Sequence, residues 1–237
     1  VIVLDLETTG LQYAWSAIAS IGAVDFREPG RQFYAEPRVP QEWDCEYEDY
    51  DGVVYTGGEV VVAERALEVN GFTREQIHSE ERKPLEEVLR EFIAWCKPIR
   101  DRTIAGENPS FDRDFLRCAF GRCIPEHRIG YRTVDLHAEM YGVLQVLGID
   151  PPMEQRRSAI NSDWTFNCVG LPKEPTPHNA LYGAKMEAEA FSRVWYGRPL
   201  FQEFAEYPIP NIWTIKADLM GVLRTIQEDG SVDFPTS

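Results

Sequence analysis

Asp5 and Glu7 lie two residues apart in VIVLDLETTG, so on a strand both side chains leave the same face. Two carboxylates that close repel one another unless a cation sits between them, which makes a hard divalent metal ion the natural occupant. On its own, D-x-E is equally compatible with a solvated strand end. A second acid, Asp112, stands in AGENPSFDRDFL (105–116), in the first turn of an expected helix. Asp112 and Asp114 there would also serve as ordinary dipole compensation. His178 opens PHNALYGAKMEAEAF (177–191); a histidine can exchange a proton near neutral pH, though at a helix start it is often only a capping or surface group.

The elements that must position these groups can be read from periodicity. Residues 1–6 read as a buried strand, 16–26 as a second and 32–36 as a third, with turn signals that make an antiparallel meander. Residues 41–63 read as an insertion: six acids fall within 42–51, and VVYTGGEVVV reads as a hairpin with Gly57-Gly58 at its tip. Leu85, Val88, Leu89, Phe92, Ile93 and Cys96 form one face of a helix over 84–97. A short strand at 102–106 leads to a helix from Ser110, as N-cap, through 122. A strand at 131–134 and a helix at 135–147 follow, then a Pro-rich irregular stretch at 150–176. The last strong helix spans 178–196, stopped by Gly197 and Pro199, and a further helix is expected at 215–228. Three strands followed by helix, strand, helix, strand, helix is an α/β order. It fits a ribonuclease H-like mixed five-stranded sheet flanked by helices.

DLETTG then IGAV, AG-x-N-x-x-FD-x-x-FL, and HNAL-x-x-A, in this order, resemble the DEDDh family of 3′–5′ exonucleases. The resemblance covers roughly residues 1–196 and includes NGFTREQI (70–77) and RTVDL (132–136). It implies an exonuclease-like domain over 1–199, carrying the insertion at 41–63. Residues 200–237 would be a C-terminal extension packed on the same domain or partly flexible. By the same resemblance, Asp5, Glu7 and Asp112 match three of four acidic metal ligands, and His178 matches the general base. Thr8 and Leu11 fall where the family contacts the 3′-terminal nucleotide, and Asn108 and Arg113 are further substrate-binding candidates beside Asp112. The implied reaction is hydrolysis of terminal phosphodiesters of single-stranded DNA or RNA to nucleoside 5′-monophosphates. The implied cofactor is Mg²⁺ or Mn²⁺ in a two-metal site, with one ion weak or absent here.

That last expectation comes from a departure. The family's third motif reads H-x-x-x-x-D, and five residues after His178 stands Gly183, so the fourth ligand is missing. Glu187 is one turn further, about 6 Å along the helix, a gap its extra methylene does not span without bending the helix, and Glu189 points to a different face. Glycine inside a helix costs about 0.5–1 kcal/mol relative to alanine, and nothing in the local pattern asks for it. Gly183→Asp is accordingly expected to raise Mg²⁺-dependent activity at least about tenfold and to firm the helix slightly. The alternative is a catalytically silent exonuclease-fold module for binding or protein interaction.

Composition narrows the partners. The 237 residues are 43% hydrophobic and 12% aromatic, which excludes a disordered chain, and no apolar run is long enough for a membrane span. The sequence opens on VIVLDLE with no signal-peptide pattern, and its five scattered cysteines form no C-x-x-C pair. A cytoplasmic protein is expected. A net charge of −15, from 24 basic and 39 acidic residues, speaks against non-specific grip on long polyanions. Single-stranded 3′ ends held by metal ions and a small basic patch remain the expected partner. Residues 97–132 are the most basic stretch, with eight basic residues against five acids. A protein partner or a homodimer would be the alternative use of the acidic surface. A small-molecule hydrolase is disfavoured, because there is neither a G-x-S-x-G elbow nor a P-loop.

Overall fold

A computed structural model describes residues 1–44, 46–48, 52–211 and 213. Three strands open the chain: β1 (Ile2–Thr8), β2 (Ile18–Asp25) and β3 (Gln32–Ala35). They form the expected meander, β1 pairing antiparallel with β2 and β2 with β3. Four two-residue strands follow, β4 (Glu42–Trp43), β5 (Tyr47–Glu48), β6 (Val54–Tyr55) and β7 (Gly58–Glu59). Here the structure corrects the expected hairpin. β6 does not turn back onto β7; β5 pairs antiparallel with β6 and β4 with β7. Gly57-Gly58 looks like a turn by composition, but Gly58 is itself a paired strand residue opposite Trp43.

Helices α1 (Glu64–Asn70) and α2 (Arg74–Ile77) come next, neither of them expected. Each is too short to show a periodic stripe. Their signals are local instead: Gly71 ends α1 in the left-handed region at φ 72°, and Thr73 with Gln76 forms a capping box. Helix α3 (Leu85–Cys96) buries Leu85, Val88, Leu89 and Phe92, the face read from the sequence. Strand β8 (Ile104–Gly106), helix α4 (Pro109–Cys123), strand β9 (Thr133–Asp135) and helix α5 (Leu136–Val146) continue the alternation. Ser110 is not the cap of α4. Asn108 is, at φ 51°, a left-handed conformation that asparagine tolerates, with Pro109 at the first helical position where no N–H is needed. The Pro-rich stretch holds a small hairpin, β10 (Met153–Glu154) with β11 (Arg157–Ser158), and helix α6 (Ser162–Cys168), capped by Asn161. Helix α7 (Ala180–Tyr196) is the long helix expected from 178. The helix expected at 215–228 lies outside the described residues.

The sheet order is β3-β2-β1-β8-β9, with β8 parallel to β1 and β9 parallel to β8. It is the mixed five-stranded ribonuclease H-like sheet. Among the described residues no helix is long and apolar enough to cross a membrane.

The chain forms two compact units. The first, Val1–Ala138 with Glu174–Ala188, contains the sheet and a core in which Leu4, Leu6, Ile18, Ile21, Leu89, Phe115 and Leu116 are fully or nearly fully buried. The second, Glu139–Lys173 with the chain from Glu189, is organised about a charge. Arg193 is fully buried and donates to Glu189 at 2.7 Å and to the carbonyls of Val169 and Phe204 at 3.0 and 2.8 Å. Glu189 is thus committed to Arg193 and also accepts from the amides of Leu200 and Phe201.

Within the sheet, Gly22 pairs with Asp5 and lies under the first residues of α7. A β-carbon at position 22 would overlap the carbonyl of Ala180 and the amide of Leu181. Backbone atoms cannot step aside as a side chain can. Gly22→Ala is thus expected to lower unfolding stability by about 1–3 kcal/mol, read by urea titration. An unchanged midpoint would show that α7 is not seated on β2.

Candidate active site

β1 runs further than its parallel neighbour. Its ladder with β8 covers Ile2–Ile104 and Val3–Ala105 and then stops, because the chain turns at Asn108 to begin α4. The amide of Ile2 faces β8 and donates to the Thr103 carbonyl at 2.9 Å. Two ladder steps on, the Leu6 amide has no strand partner and donates instead to Asp112 Oδ1 at 3.0 Å. Asp112 is the fourth residue of α4 and 5% exposed. That bond places its carboxylate beside the β1 segment from which Asp5 and Glu7 project.

The segment that carries His178 arrives by a different route. The amide of His178 donates to the Val69 carbonyl at 2.9 Å, and the neighbouring Asn70 side chain donates to the Thr8 carbonyl at 3.3 Å. Helix α1 therefore ties the segment ahead of α7 to the end of β1. Asn70 is 4% exposed and accepts from Phe72 N, so both halves of its amide are used. It belongs to the NGFTREQI segment but has no chemistry of its own to advertise it. Asn179 caps α7, its Oδ1 accepting from Tyr182 N at 3.1 Å while Nδ2 donates to Tyr34 Oη.

Two further acids enter the cluster, and both are glutamates. Glu187 reaches the acids from the turn beyond Gly183: it is 7% exposed, its Oε1 accepts from Glu107 N at 3.2 Å, and the charges of Asp5 and Asp112 act on it. Glu174, on the stretch before His178, was not anticipated. Its Oε2 lies 3.7 Å from His178 Nδ1, and donor atoms of Glu7, Glu174 and His178 all fall within 4.8 Å of one another.

Gly183 now has a structural reason. A β-carbon there would overlap Asp5 Oδ2 and stand 3.2 Å from Glu174 Oε1. The helix backbone is bare where carboxylates approach it. An aspartate placed at 183 would have to displace Asp5 Oδ2 first, which opposes the helix gain expected from replacing glycine.

The remaining candidates divide. Thr8 is buried, with its hydroxyl donating to the Gly10 carbonyl at 2.8 Å, whereas Leu11 is 81% exposed just beyond it. Asn108 Oδ1 accepts from Ser110 Oγ, and its backbone amide donates to Asp135. Arg113 is engaged by Asp114 at 2.7 Å and by the Tyr131 carbonyl at 2.9 Å. Other arginines of the basic stretch hold backbone too: Arg102 the Ile99 and Lys97 carbonyls, Arg122 those of Ala14 and Thr56, Arg128 that of Pro125. Four of the eight basic residues of that stretch thus hold backbone carbonyls.

Electrostatically the site is a concentration of negative charge out of water. Burial, then the charges of Glu7, Asp112 and Glu174, hold the Asp5 carboxyl well above its ordinary range. Burial raises Glu7 from 4.5 to about 7, with His178 opposing and Glu174 adding. Asp112 rises from 3.8 to about 8, mainly by burial, against the backbone amides that donate to it. Burial and the charges of Asp5 and Asp112 likewise raise Glu187. Oxygen donors crowded in this way fit hard divalent cations. So does Glu187 Oε2, which is buried with no hydrogen-bond partner among the described residues.

Residues 1–195 match the Rv2179c-like 3'-5' exoribonuclease domain. The chain belongs to that family. DNA polymerase III PolC-type of Thermotoga maritima is 32% identical over 116 residues, 49% of this chain and 7% of that protein. The fold is shared with E. coli Exonuclease I in complex with a 5cy-dT13 oligonucleotide, at TM-score 0.54 and 15% identity over 80% of this chain and 39% of the other. It is also shared with a 3'-exonuclease recognising the histone mRNA stem-loop, at TM-score 0.53 and 14% identity over 88% and 65%. The exoribonuclease domain thus spans well under half of PolC and of Exonuclease I.

The raised carboxyls set a pH dependence for the metal-free protein. Their folded values exceed the unfolded ones, so from about pH 4.5 up to about pH 8 the folded state holds more protons. Stability is therefore fully present below that window and falls as pH rises through it. Thermal unfolding in EDTA should show a higher midpoint at pH 5 than at pH 8, and Glu7→Gln should flatten the difference. A midpoint that climbs with pH would contradict the clustered-acid geometry.

Proposed function

We propose that this domain is a divalent-metal-dependent 3′–5′ exoribonuclease that trims single-stranded 3′ ends to nucleoside 5′-monophosphates. The observation that carries the reading is the convergence of Asp5, Glu7, Asp112 and His178 at the end of β1, brought together by the Leu6–Asp112 bond and the α1 tether. The family match favours RNA over DNA.

Asp5 and Glu7, on one face of β1, would hold the cations, with Asp112 closing the site from α4. Mg²⁺ or Mn²⁺ bound there would supply charge neutralisation on the phosphate and a more acidic water. His178 is partly exposed at the rim, where its ring can take the proton of the attacking water and pass it to solvent. Leu11 stands exposed beyond the acids, and Trp15 nearby in sequence is 43% exposed. In this reading Leu11 packs against the terminal nucleotide, while the backbone around Thr8 orients it. The scarcity of free arginines in the basic stretch suits short ends, gripped mainly at the terminal phosphate, and not long duplexes.

The test is shortening of 5′-labelled single-stranded RNA and DNA with Mg²⁺ or Mn²⁺, with the released nucleoside 5′-monophosphates identified from uniformly labelled strands. Stepwise shortening from the 3′ end is expected, faster on RNA. Asp5→Ala should abolish it, and His178→Ala should lower kcat by about 10²–10⁴-fold. Binding without shortening on either polymer would instead favour a catalytically silent module.

A further inference from the structure

The exoribonuclease reading leaves a question of ligand count, because the family's fourth acid is Gly183 here. We infer that Glu174 supplies the fourth carboxylate to the bound cation, the acid having moved from helix α7 to the segment ahead of it. The inference rests on the metal-site reading above and concerns only where the last ligand comes from.

Three observations meet at this point. Glu174 Oε1 lies 3.2 Å from where a β-carbon at 183 would stand, so its carboxylate approaches the space that an aspartate side chain there would enter. Its Oε2 lies 3.7 Å from His178 Nδ1, and a donor atom of Glu174 shares one 4.8 Å neighbourhood with donors from Glu7 and His178. Independently, Glu187 Oε2 is buried without a hydrogen-bond partner among the described residues on the Asp5–Asp112 side of the same cluster. A buried carboxylate oxygen left in that state is satisfied by a proton or by a cation, and a cation would serve Glu174 at the same time.

The geometry also separates the two glutamates. Glu187 is anchored through Oε1 to the Glu107 amide, which holds it on the β8 side of the cluster. Glu174 stands on the His178 side, beside Glu7, where the attacking water must be held. Glycine at 183 is then a requirement of the arrangement: any side chain there would push against Asp5 Oδ2 and crowd Glu174.

The readout is Mn²⁺ binding to the full chain, by calorimetry and by the loss of free-Mn²⁺ electron paramagnetic resonance signal. Glu174→Gln should weaken Mn²⁺ affinity at least about tenfold. The metal-free variant should melt no lower than the parent at pH 8, since one of several repelling charges has gone. Glu174→Asp keeps the charge but withdraws it by a methylene, and should show an intermediate loss; it serves the same purpose if the glutamine variant folds poorly. Parental Mn²⁺ affinity in both variants would overturn the assignment while leaving the site intact, and would leave Glu174 as a neighbour of His178 only. Parental affinity in Asp5→Asn as well would overturn the metal-site reading itself.

Discussion

One hydrogen bond fixes the relation between strand and helix on which the site depends: the Leu6 amide donating to Asp112. A central strand that outruns its parallel neighbour leaves backbone donors facing inward, and a buried donor without an acceptor costs roughly 1–3 kcal/mol. Here the acceptor is a carboxylate on the first turn of the following helix. The bond satisfies the amide, fixes how α4 enters the fold, and sets an acid next to two others. Three demands that could have been met separately are met by one contact.

The arrangement has an electrostatic consequence that the rest of the first unit must bear. Asp5, Glu7, Asp112, Glu174 and Glu187 influence one another in a largely dry site, and each of the first three and Glu187 is driven towards its protonated form. Sites of this kind are stable as neutral acids or as metal complexes, and poorly stable as bare anions. The framework around them is correspondingly over-determined. Asn70 uses both ends of its amide, and Thr9 donates to the Val61 carbonyl while accepting from Ala17 N.

What the sequence disclosed follows from the range of each interaction. The same-face placement of Asp5 and Glu7, the amphipathic helix around Leu89 and the meander of the first three strands are local or periodic properties, and they read correctly. Asn108 was passed over for Ser110 because a serine before a helix is the commoner cap, while the sharp turn after β8 asks for a left-handed residue. Glu174 sits in an aperiodic, Pro-rich stretch, where no spacing rule could place its carboxylate beside Glu7. Glu187 was judged too distant on axial rise alone, yet a long side chain leaning back along the helix closes that interval. The arginines were legible as charge but not as staples for carbonyls, since which carbonyls go unpaired is decided only when the chain closes.

The ribbon inserted between β3 and α1 is fastened at its root. Gln41 accepts from Val60 N at 2.8 Å, β4 is zipped to β7, and the returning chain is bonded at Val61 to Trp15 and at Ala63 to Thr9. Higher up, Tyr47 packs its ring over α4 at Gly121. Because the two ends are already joined, lengthening the exposed stretch at Gly52 and Val53, ahead of β6, adds mainly loop-closure entropy, about 0.6 kcal/mol per doubling of loop length. That stretch is therefore a permissive graft point. A recruitment peptide or affinity handle spliced there would be borne by a stem already bonded to the chain just past the strand that carries the acids, leaving the register of β1 untouched.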